Sequence, residues 1–141
     1  MIDATEGIRR TLAAYCHTCD DGRFDEFAEL FTSDARFVVL GDTREGRDAI
    51  QAFMAASMPP EVRGKHLCAN SLIEVADDGR SASAVTDFVF VGRAAGTVEG
   101  AAMGAFAITS AGRYLDELAL DGERWRFARR EIVFLGAEPA G

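Results

Sequence analysis

The sequence is short of positive charge, with 15 Lys and Arg residues against 23 Asp and Glu residues and a formal net charge of −8. No cluster of basic residues extends beyond two or three positions. A surface this acidic repels a phosphate backbone, so we expect no nucleic acid partner. A pocket can differ in sign from the surface around it, and a neutral or weakly polar small molecule therefore remains a suitable ligand.

Long hydrophobic runs are also lacking. No window approaches the roughly 18 consecutive apolar residues of a membrane-spanning helix, so we expect no membrane association. The first residues, Met-Ile-Asp-Ala-Thr-Glu, lack the basic start and apolar run of a secretory signal, and we expect none. Cysteine is scarce and odd in number (Cys16, Cys19 and Cys68), which predicts reduced thiols in a cytoplasmic protein rather than a disulfide framework.

The length and composition are those of one globular domain. A chain of 141 residues fits the usual domain size of roughly 100–200 residues, and we assign residues 1–141 to a single domain. Hydrophobic residues make up 48% and charged residues 27% of the chain, which is ordinary for a globular protein. The composition therefore excludes a disordered tail and a collagen-like fibre, and no internal repeat is visible.

Helical patterns occupy the first part of the chain. Asp3 and Glu6 form a capping-box-like start for a helix over residues 3–21, and Gly22 is well placed to end it. Its apolar stripe is formed by Ile8, Leu12, Tyr15 and Cys19. Two further helices are predicted over residues 24–31 and 47–58, the latter ending before two prolines.

The later part of the chain is rich in strands. A short strand and hairpin are predicted over residues 35–46, followed by four long strands over residues 65–76, 81–93, 105–119 and 123–135. Helices followed by an antiparallel meander indicate an α+β fold, with three helices on one face of a strongly curved sheet. The glycine-rich segment 94–112 is interpreted either as a mobile apolar rim or as a hairpin loop without a role.

Six short motifs carry a resemblance to a known family. Together they resemble the SnoaL-like family of the nuclear transport factor 2-like superfamily, over nearly the whole chain. This resemblance implies a cone-shaped, cystatin-like α+β barrel, a fold that hosts isomerases, dehydratases, cyclases, dehydrochlorinases and non-enzymes. In order, the motifs are Tyr15-x-x-x-x-Asp20, Leu30-Phe31-x-x-Asp34-Ala35, Gly46-x-x-x-Ile50-x-x-Phe53, His66-x-x-x-Asn70, Gly112-Arg113-Tyr114 and Trp125-x-x-x-x-Arg130.

The resemblance also implies a site. Scytalone dehydratases and hexachlorocyclohexane dehydrochlorinases use a histidine on the strand after the third helix, oriented by an aspartate at the end of the first helix. His66 and Asp20 match those two positions, and Asn70 matches an asparagine of the dehydrochlorinase pattern. Several lysine and tryptophan pocket positions of these relatives have no counterpart here, so the substrate does not carry over.

The residue chemistry is consistent with this pair without requiring it. A neutral imidazole accepts a proton near pH 7, and a carboxylate on its other nitrogen fixes the tautomer and stabilises the imidazolium. Strand alternation places His66, Cys68 and Asn70 on one face of the sheet. The alternative is a surface histidine together with an aspartate that only caps the end of its helix.

Other candidate residues have two interpretations each. Tyr15 belongs to the core stripe or contacts substrate, and Cys68 is interpreted as a pocket wall rather than a nucleophile. Asn70 on a concave face would need a partner, such as a ligand. Arg130 either turns inward to meet a carboxylate or lies on the solvent face, and His17 is expected in solvent.

Two motifs are set aside at this point. The spacing Cys16-x-x-Cys19 lies near a helix end, where it does not fit a redox motif. A zinc site formed by Cys16, Cys19, His66 and Cys68 is conceivable, but no second C-x-x-C is present, and we expect no metal. The glycines around residues 92–104 do not join a strand to a helix as a phosphate loop does, so no nucleotide cofactor is expected.

These observations lead to one hypothesis and two rivals. We expect a cofactor-independent lyase, isomerase or cyclase that acts on a small, largely apolar molecule, with His66 as base and Asp20 orienting it. The site would be completed by Tyr15, Asn70 and Arg130. The rivals are a non-catalytic binding protein or dioxygenase small subunit, and an enzyme in which Asp20 is itself the base, as in ketosteroid isomerase-like relatives.

The sequence also predicts self-association. Phe88, Phe90, Ile132 and Phe134 are too many large apolar side chains for one small cavity. We therefore expect some of them on the outer sheet face, where they would support a homodimer or homotrimer.

Overall fold

The structure is a computed structural model that describes residues 2–93 and 106–140. Within these residues, three α-helices and one short 3-10 turn accompany six strands. The helices are α1 (Ala4–Asp20), α2 (Phe24–Ala28) and α3 (Arg47–Ser57), with the 3-10 turn at Pro60–Val62. The strands are β1 (Phe31–Val39), β2 (Asp42–Glu45), β3 (Lys65–Val75), β4 (Ser81–Arg93), β5 (Phe106–Asp121) and β6 (Arg124–Phe134).

The six strands form one curved sheet in the order β2-β1-β6-β5-β4-β3. All neighbours are antiparallel except β1 and β6, which are parallel. The helices pack against one face of this sheet, and the sheet does not close on itself. The predicted α+β, cystatin-like architecture is confirmed, with an open cone in place of a closed barrel.

Helix α1 has the predicted ends. The side chain of Asp3 accepts a hydrogen bond from the backbone N–H of Glu6 at 2.9 Å, which satisfies one free amide of the first turn. After the last turn, Gly22 adopts a positive φ of 70°, and the next amide, of Arg23, donates to the Thr18 carbonyl at 2.8 Å. Both ends of the helix that carries Asp20 are therefore set by local sequence.

The second helix is shorter than predicted. It ends at Ala28, and Phe31 begins strand β1 instead of completing a helical face. The backbone N–H of Phe127 donates to the carbonyl of Leu30 at 2.7 Å, and the rings of Phe31 and Phe127 lie 5.2 Å apart. Pairing with β6 and burial against its aromatic ring outweigh the helical pattern of this segment.

The prediction that part of the aromatic set faces outward is wrong. Phe88 stacks on Tyr114 with ring centroids 4.4 Å apart, and Phe134 meets Phe88 edge-on at 6.2 Å. Phe90 lies 4.7 Å from the ring of His66, and Ile132 packs against the core. Because the curved sheet and helices enclose a deep interior, all four side chains fit on the concave face.

The outer face has a different apolar set. Leu67 and Leu72 on the edge strand β3 are 57% and 72% exposed. Half-buried valines on β4 continue this surface, which we call the outer apolar face: Val85, Val89 and Val91. Within residues 2–93 and 106–140, no helix has both the length and the hydropathy to cross a membrane. The glycine-rich stretch proposed as a rim falls largely within residues 94–105, outside the described residues.

Candidate functional site

The end of helix α1 meets the start of strand β3, and this contact brings Asp20 and His66 together. The Nδ1 atom of His66 lies 2.5 Å from Oδ1 of Asp20. The backbone N–H of His66 donates to the other carboxylate oxygen, Oδ2, at 2.9 Å. One carboxylate thus contacts both the ring and the backbone of the same residue. Since Oδ1 acts as acceptor, the contact favours the tautomer with a proton on Nδ1 and leaves Nε2 free to accept one.

The pair is largely shielded from solvent. The side chains of His66 and Asp20 are 12% and 5% exposed. The imidazole has two aromatic neighbours, the ring of Phe90 with centroids 4.7 Å apart and the ring of Tyr15 edge-on at 6.2 Å. A polar pair held among aromatic rings meets little competition from water, which strengthens its hydrogen bonds.

Cys19 lies beside the pair and is the third potential metal ligand there. Candidate ligand atoms of Cys19, Asp20 and His66 lie within 4.8 Å of one another. This differs from the set considered from sequence, which combined His66 with Cys16, Cys19 and Cys68. Burial and the Asp20 charge raise the pKa of Cys19 to about 12, so the thiol stays protonated at neutral pH. An ion here would have to displace that proton and break the Asp20–His66 hydrogen bond.

A buried ion pair lies deeper in the cone. Arg130 turns inward, and its Nε and Nη2 donate to the two oxygens of Asp116 at 2.7 and 2.8 Å. The guanidinium carbon lies 4.2, 3.8 and 4.2 Å from the ring centres of Tyr15, Tyr114 and Phe127. Arg130 Nη1 has no hydrogen-bond partner among the described residues. Of the two orientations considered for Arg130, the structure has the inward one.

Burial acts on both charges of this pair. It raises the pKa of Asp116, and the neighbouring Arg130 only partly opposes the shift. Burial by itself lowers the pKa of Arg130, but the charge and hydrogen bonds of Asp116 outweigh it and raise the value overall. A permanent positive charge therefore lies against the ring of Tyr15, which is itself fully buried. Burial also raises the pKa of Tyr15, so its hydroxyl stays neutral.

Sequence reasoning missed Asp116, although a signal was available. Asp116 alternates with Tyr114 and Leu118 in β5, so strand periodicity places it on the apolar face. The register then sets it directly opposite Arg130 on β6. An acidic residue on a buried strand face predicts a buried cationic partner.

Asn70 does not lie on the concave face, and the alternation predicted for His66, Cys68 and Asn70 is wrong. A β-bulge between Ala69 and Leu72 interrupts the register, and Asn70 has a φ of 55°. Its side chain is exposed, while Ser71 takes the inward position and contacts the Thr86 hydroxyl. The extra residue of the bulge exchanges the two faces of the strand from this point on.

A groove of about 460 Å³ runs between α1 and β3 beside the pair. Cys68 is half-buried in its wall, and His17 is exposed at its margin. The lining residues are Arg9, Leu12, Ala13, Cys16, His17, His66, Leu67, Cys68, Asn70 and Ser71. A second hollow, of about 640 Å³, lies under the C-terminal tail against Arg36, Arg129 and Glu131 and contains no histidine. The groove is therefore the candidate site.

The family assignment follows from the sequence profile of the SnoaL-like domain, which matches residues 1–131. The chain belongs to the SnoaL-like family, within the nuclear transport factor 2-like superfamily with a cystatin-like fold. No curated protein sequence matches the chain.

Solved structures agree on the fold. A protein of unknown function from Mycobacterium tuberculosis is 28% identical with a TM-score of 0.80, over 92% of this chain and 70% of the other. A candidate scytalone dehydratase from Novosphingobium aromaticivorans is 22% identical with a TM-score of 0.78, over 97% and 93%. The beta subunit of a candidate aromatic-ring-hydroxylating dioxygenase from the same organism is 21% identical with a TM-score of 0.73, over 92% and 87%.

The buried ion pair yields a stability prediction. Replacing Asp116 by Asn leaves Arg130 charged, buried and uncompensated, and we expect a loss of about 3–5 kcal/mol in the free energy of unfolding. Urea unfolding followed by circular dichroism measures the loss. The matched control is Arg113→Ala, which removes the exposed ion pair with Asp87 and should leave the midpoint nearly unchanged. Equal midpoints for Asp116→Asn and wild type would contradict a stabilising role for the pair.

Proposed function

We propose that the chain is a cofactor-independent enzyme that moves a proton on a small, largely apolar molecule. The observation that carries this proposal is the double contact of Asp20 with the ring and the backbone of His66. A histidine that served only to pack would not need a carboxylate on Nδ1. A general base needs that arrangement, because it fixes the tautomer and stabilises the imidazolium formed after proton transfer.

In the proposed reaction, His66 Nε2 removes a proton from a carbon next to an electron-withdrawing group. The Asp20 carboxylate offsets the positive charge that the ring then carries. Arg130 provides a fixed positive field for the negative charge that develops on the substrate, and Cys68 forms part of the groove wall. Tyr15 is fully buried and is not among the groove-lining residues, so it supports the site by packing against Arg130 and His66 rather than by touching substrate. Asn70 lies at the groove margin and would contact only an outlying part of the ligand.

The product depends on where the electron pair goes after proton removal. Loss of a leaving group such as water gives elimination, return of the proton to another carbon gives isomerisation, and attack on an internal carbonyl carbon gives cyclisation. All three reactions begin with removal of the same proton from carbon, so the same groove and the same Asp20–His66 pair would serve any of them. The first step is therefore the one to measure.

Proton abstraction is measurable before the substrate is known. A panel of small apolar ketones and β-hydroxyketones in D₂O reports exchange at the acidic carbon by proton NMR. Because general-base catalysis contributes about 10²–10⁴-fold, His66→Ala should slow protein-catalysed exchange by that factor. His17→Ala is the matched control, since His17 is the only other histidine and lies exposed at the margin of the same groove. Equal exchange rates for wild type and His66→Ala would contradict the proposal.

A second pair of variants decides which group takes the proton. If His66 is the base, His66→Gln should be at least as damaging to exchange as Asp20→Asn, because an asparagine can still accept from Nδ1–H. Nitrogen NMR of the imidazole should show a protonated Nδ1 and a bare Nε2 in the wild type. Nearly full activity in His66→Gln, combined with loss in Asp20→Asn, would instead identify Asp20 as the base.

A role without catalysis is the second candidate, and the filled concave face favours it. Fully buried aromatic rings fill the concave face, so the open space beside the pair is the groove at the edge of the sheet. These rings belong to Tyr15, Phe31, Tyr114 and Phe127. Such a protein would bind a ligand without turnover or would act as a subunit of a larger enzyme. One structural neighbour is named as the beta subunit of a dioxygenase. Ligand-induced thermal stabilisation without exchange in any panel compound would favour this alternative.

Self-association is proposed through the outer apolar face. Leu72 is strongly exposed there, and covering it with a second copy would remove apolar surface from water. Light scattering should give the mass of a dimer or trimer, and Leu72→Glu should reduce it to that of a monomer. Leu40→Glu, at the exposed turn between β1 and β2, is the control expected to keep the wild-type mass. A monomeric wild type at micromolar concentration would refute the proposal.

A further inference from the structure

Two cysteines from distant parts of the chain meet beside the Asp20–His66 pair. The sulfur atoms of Cys16 on α1 and Cys68 on β3 lie 3.3 Å apart, although 52 positions separate them in sequence. Cys16 precedes Asp20 by one helical turn, and Cys68 follows His66 by two strand positions. The Cys16–Cys68 contact and the Asp20–His66 contact therefore join the same two elements side by side.

We propose that Cys16 and Cys68 form a reversible disulfide, an oxidation site that links helix α1 covalently to strand β3. A disulfide bond is about 2.0 Å long, so the two sulfur atoms need to approach by little more than one ångström. This proposal does not depend on the reaction suggested for His66. That reaction does not use Cys16 or Cys68 as a nucleophile.

The two thiols are unequal in a way that suits this chemistry. Hydrogen bonding with Cys68 raises the pKa of Cys16, and burial adds to the shift. The same hydrogen bond lowers the pKa of Cys68, and the positive charge of Arg130 assists it against the opposing effect of burial. Cys68 is also the more exposed of the two. Cys68 is therefore the attacking thiolate, and Cys16 is the partner that closes the bond.

Access to the pair comes from the groove, since both residues line it. A hydroperoxide as small as hydrogen peroxide fits a space of about 460 Å³. The Cys68 thiolate attacks one peroxide oxygen, the O–O bond breaks, and the departing hydroxide takes up a proton to leave as water. The resulting sulfenic acid is attacked by the sulfur of Cys16, which loses its proton, and a second water leaves. Two thiols are oxidised, one peroxide is reduced, and two waters form.

Cys19 provides an internal control. Its side chain is fully buried, and it is not among the residues that line the groove. Its thiol also stays protonated at neutral pH, for the reason given above. We therefore expect Cys19 to remain reduced under conditions that oxidise the other pair, although it lies only three positions from Cys16.

Mass spectrometry of the full chain tests the proposal. Brief treatment with hydrogen peroxide should remove two hydrogens from the wild-type mass, and a dithiol reductant should restore them. Thiol titration in denaturant should fall from three groups to one. Peptide mapping should place the link between Cys16 and Cys68. Cys19→Ala should behave as the wild type with one thiol fewer, whereas Cys16→Ser and Cys68→Ser should both lose the crosslink.

Several results would overturn the proposal. Addition of oxygen atoms without loss of hydrogen would show that Cys68 is oxidised with no resolving partner. A link that includes Cys19, or a link between two chains, would show that the observed proximity does not direct the reaction. Three free thiols after treatment would show that the pair is inert. Because the wild-type measurement needs no substitution, these outcomes hold even if a serine variant fails to fold.

Discussion

The carboxylate of Asp20 joins helix α1 to strand β3, and the candidate site depends on this contact. Strand β3 lies at the edge of the sheet, where a backbone amide can lack a neighbouring strand to accept its hydrogen bond. Asp20 accepts from the backbone N–H of His66 with one oxygen and contacts its ring with the other. A single side chain thus satisfies an edge-strand amide and sets the tautomer of the adjacent imidazole, so fold and chemistry share one interaction.

A second constraint is the positive charge of Arg130 in the aromatic interior. Placing this guanidinium among three rings is tolerable because Asp116 accepts two hydrogen bonds from it and the ring faces add favourable contacts. The same charge acts on its surroundings, since it assists the Cys16 hydrogen bond in lowering the pKa of Cys68 and opposes the rise that burial causes in the pKa of Tyr15. The buried pair therefore influences the groove without reaching solvent.

Departures from the sequence-based expectations share a physical origin in strand pairing. Phe31 leaves a helical pattern because β6 offers both a backbone partner and an aromatic surface. The parallel pairing of β1 with β6 has no local signal, since it brings together segments from opposite ends of the chain. Asn70 leaves the concave face because one extra residue at a bulge reverses the alternation. Asparagine tolerates the positive φ found there, but a single asparagine inside an otherwise regular strand pattern does not by itself predict a bulge.

Local sequence was sufficient for the helix caps, the apolar stripe of α1 and the turns between long strands, because neighbours along the chain determine these features. The family resemblance supplied the pairing of Asp20 with His66, which periodicity alone left open. Only the tertiary structure decided that Arg130 points inward to Asp116, that Asn70 faces outward and that Cys16 meets Cys68. Each of these depends on register between segments far apart in sequence, and a shift of one residue in a strand moves a side chain to the other face of the sheet.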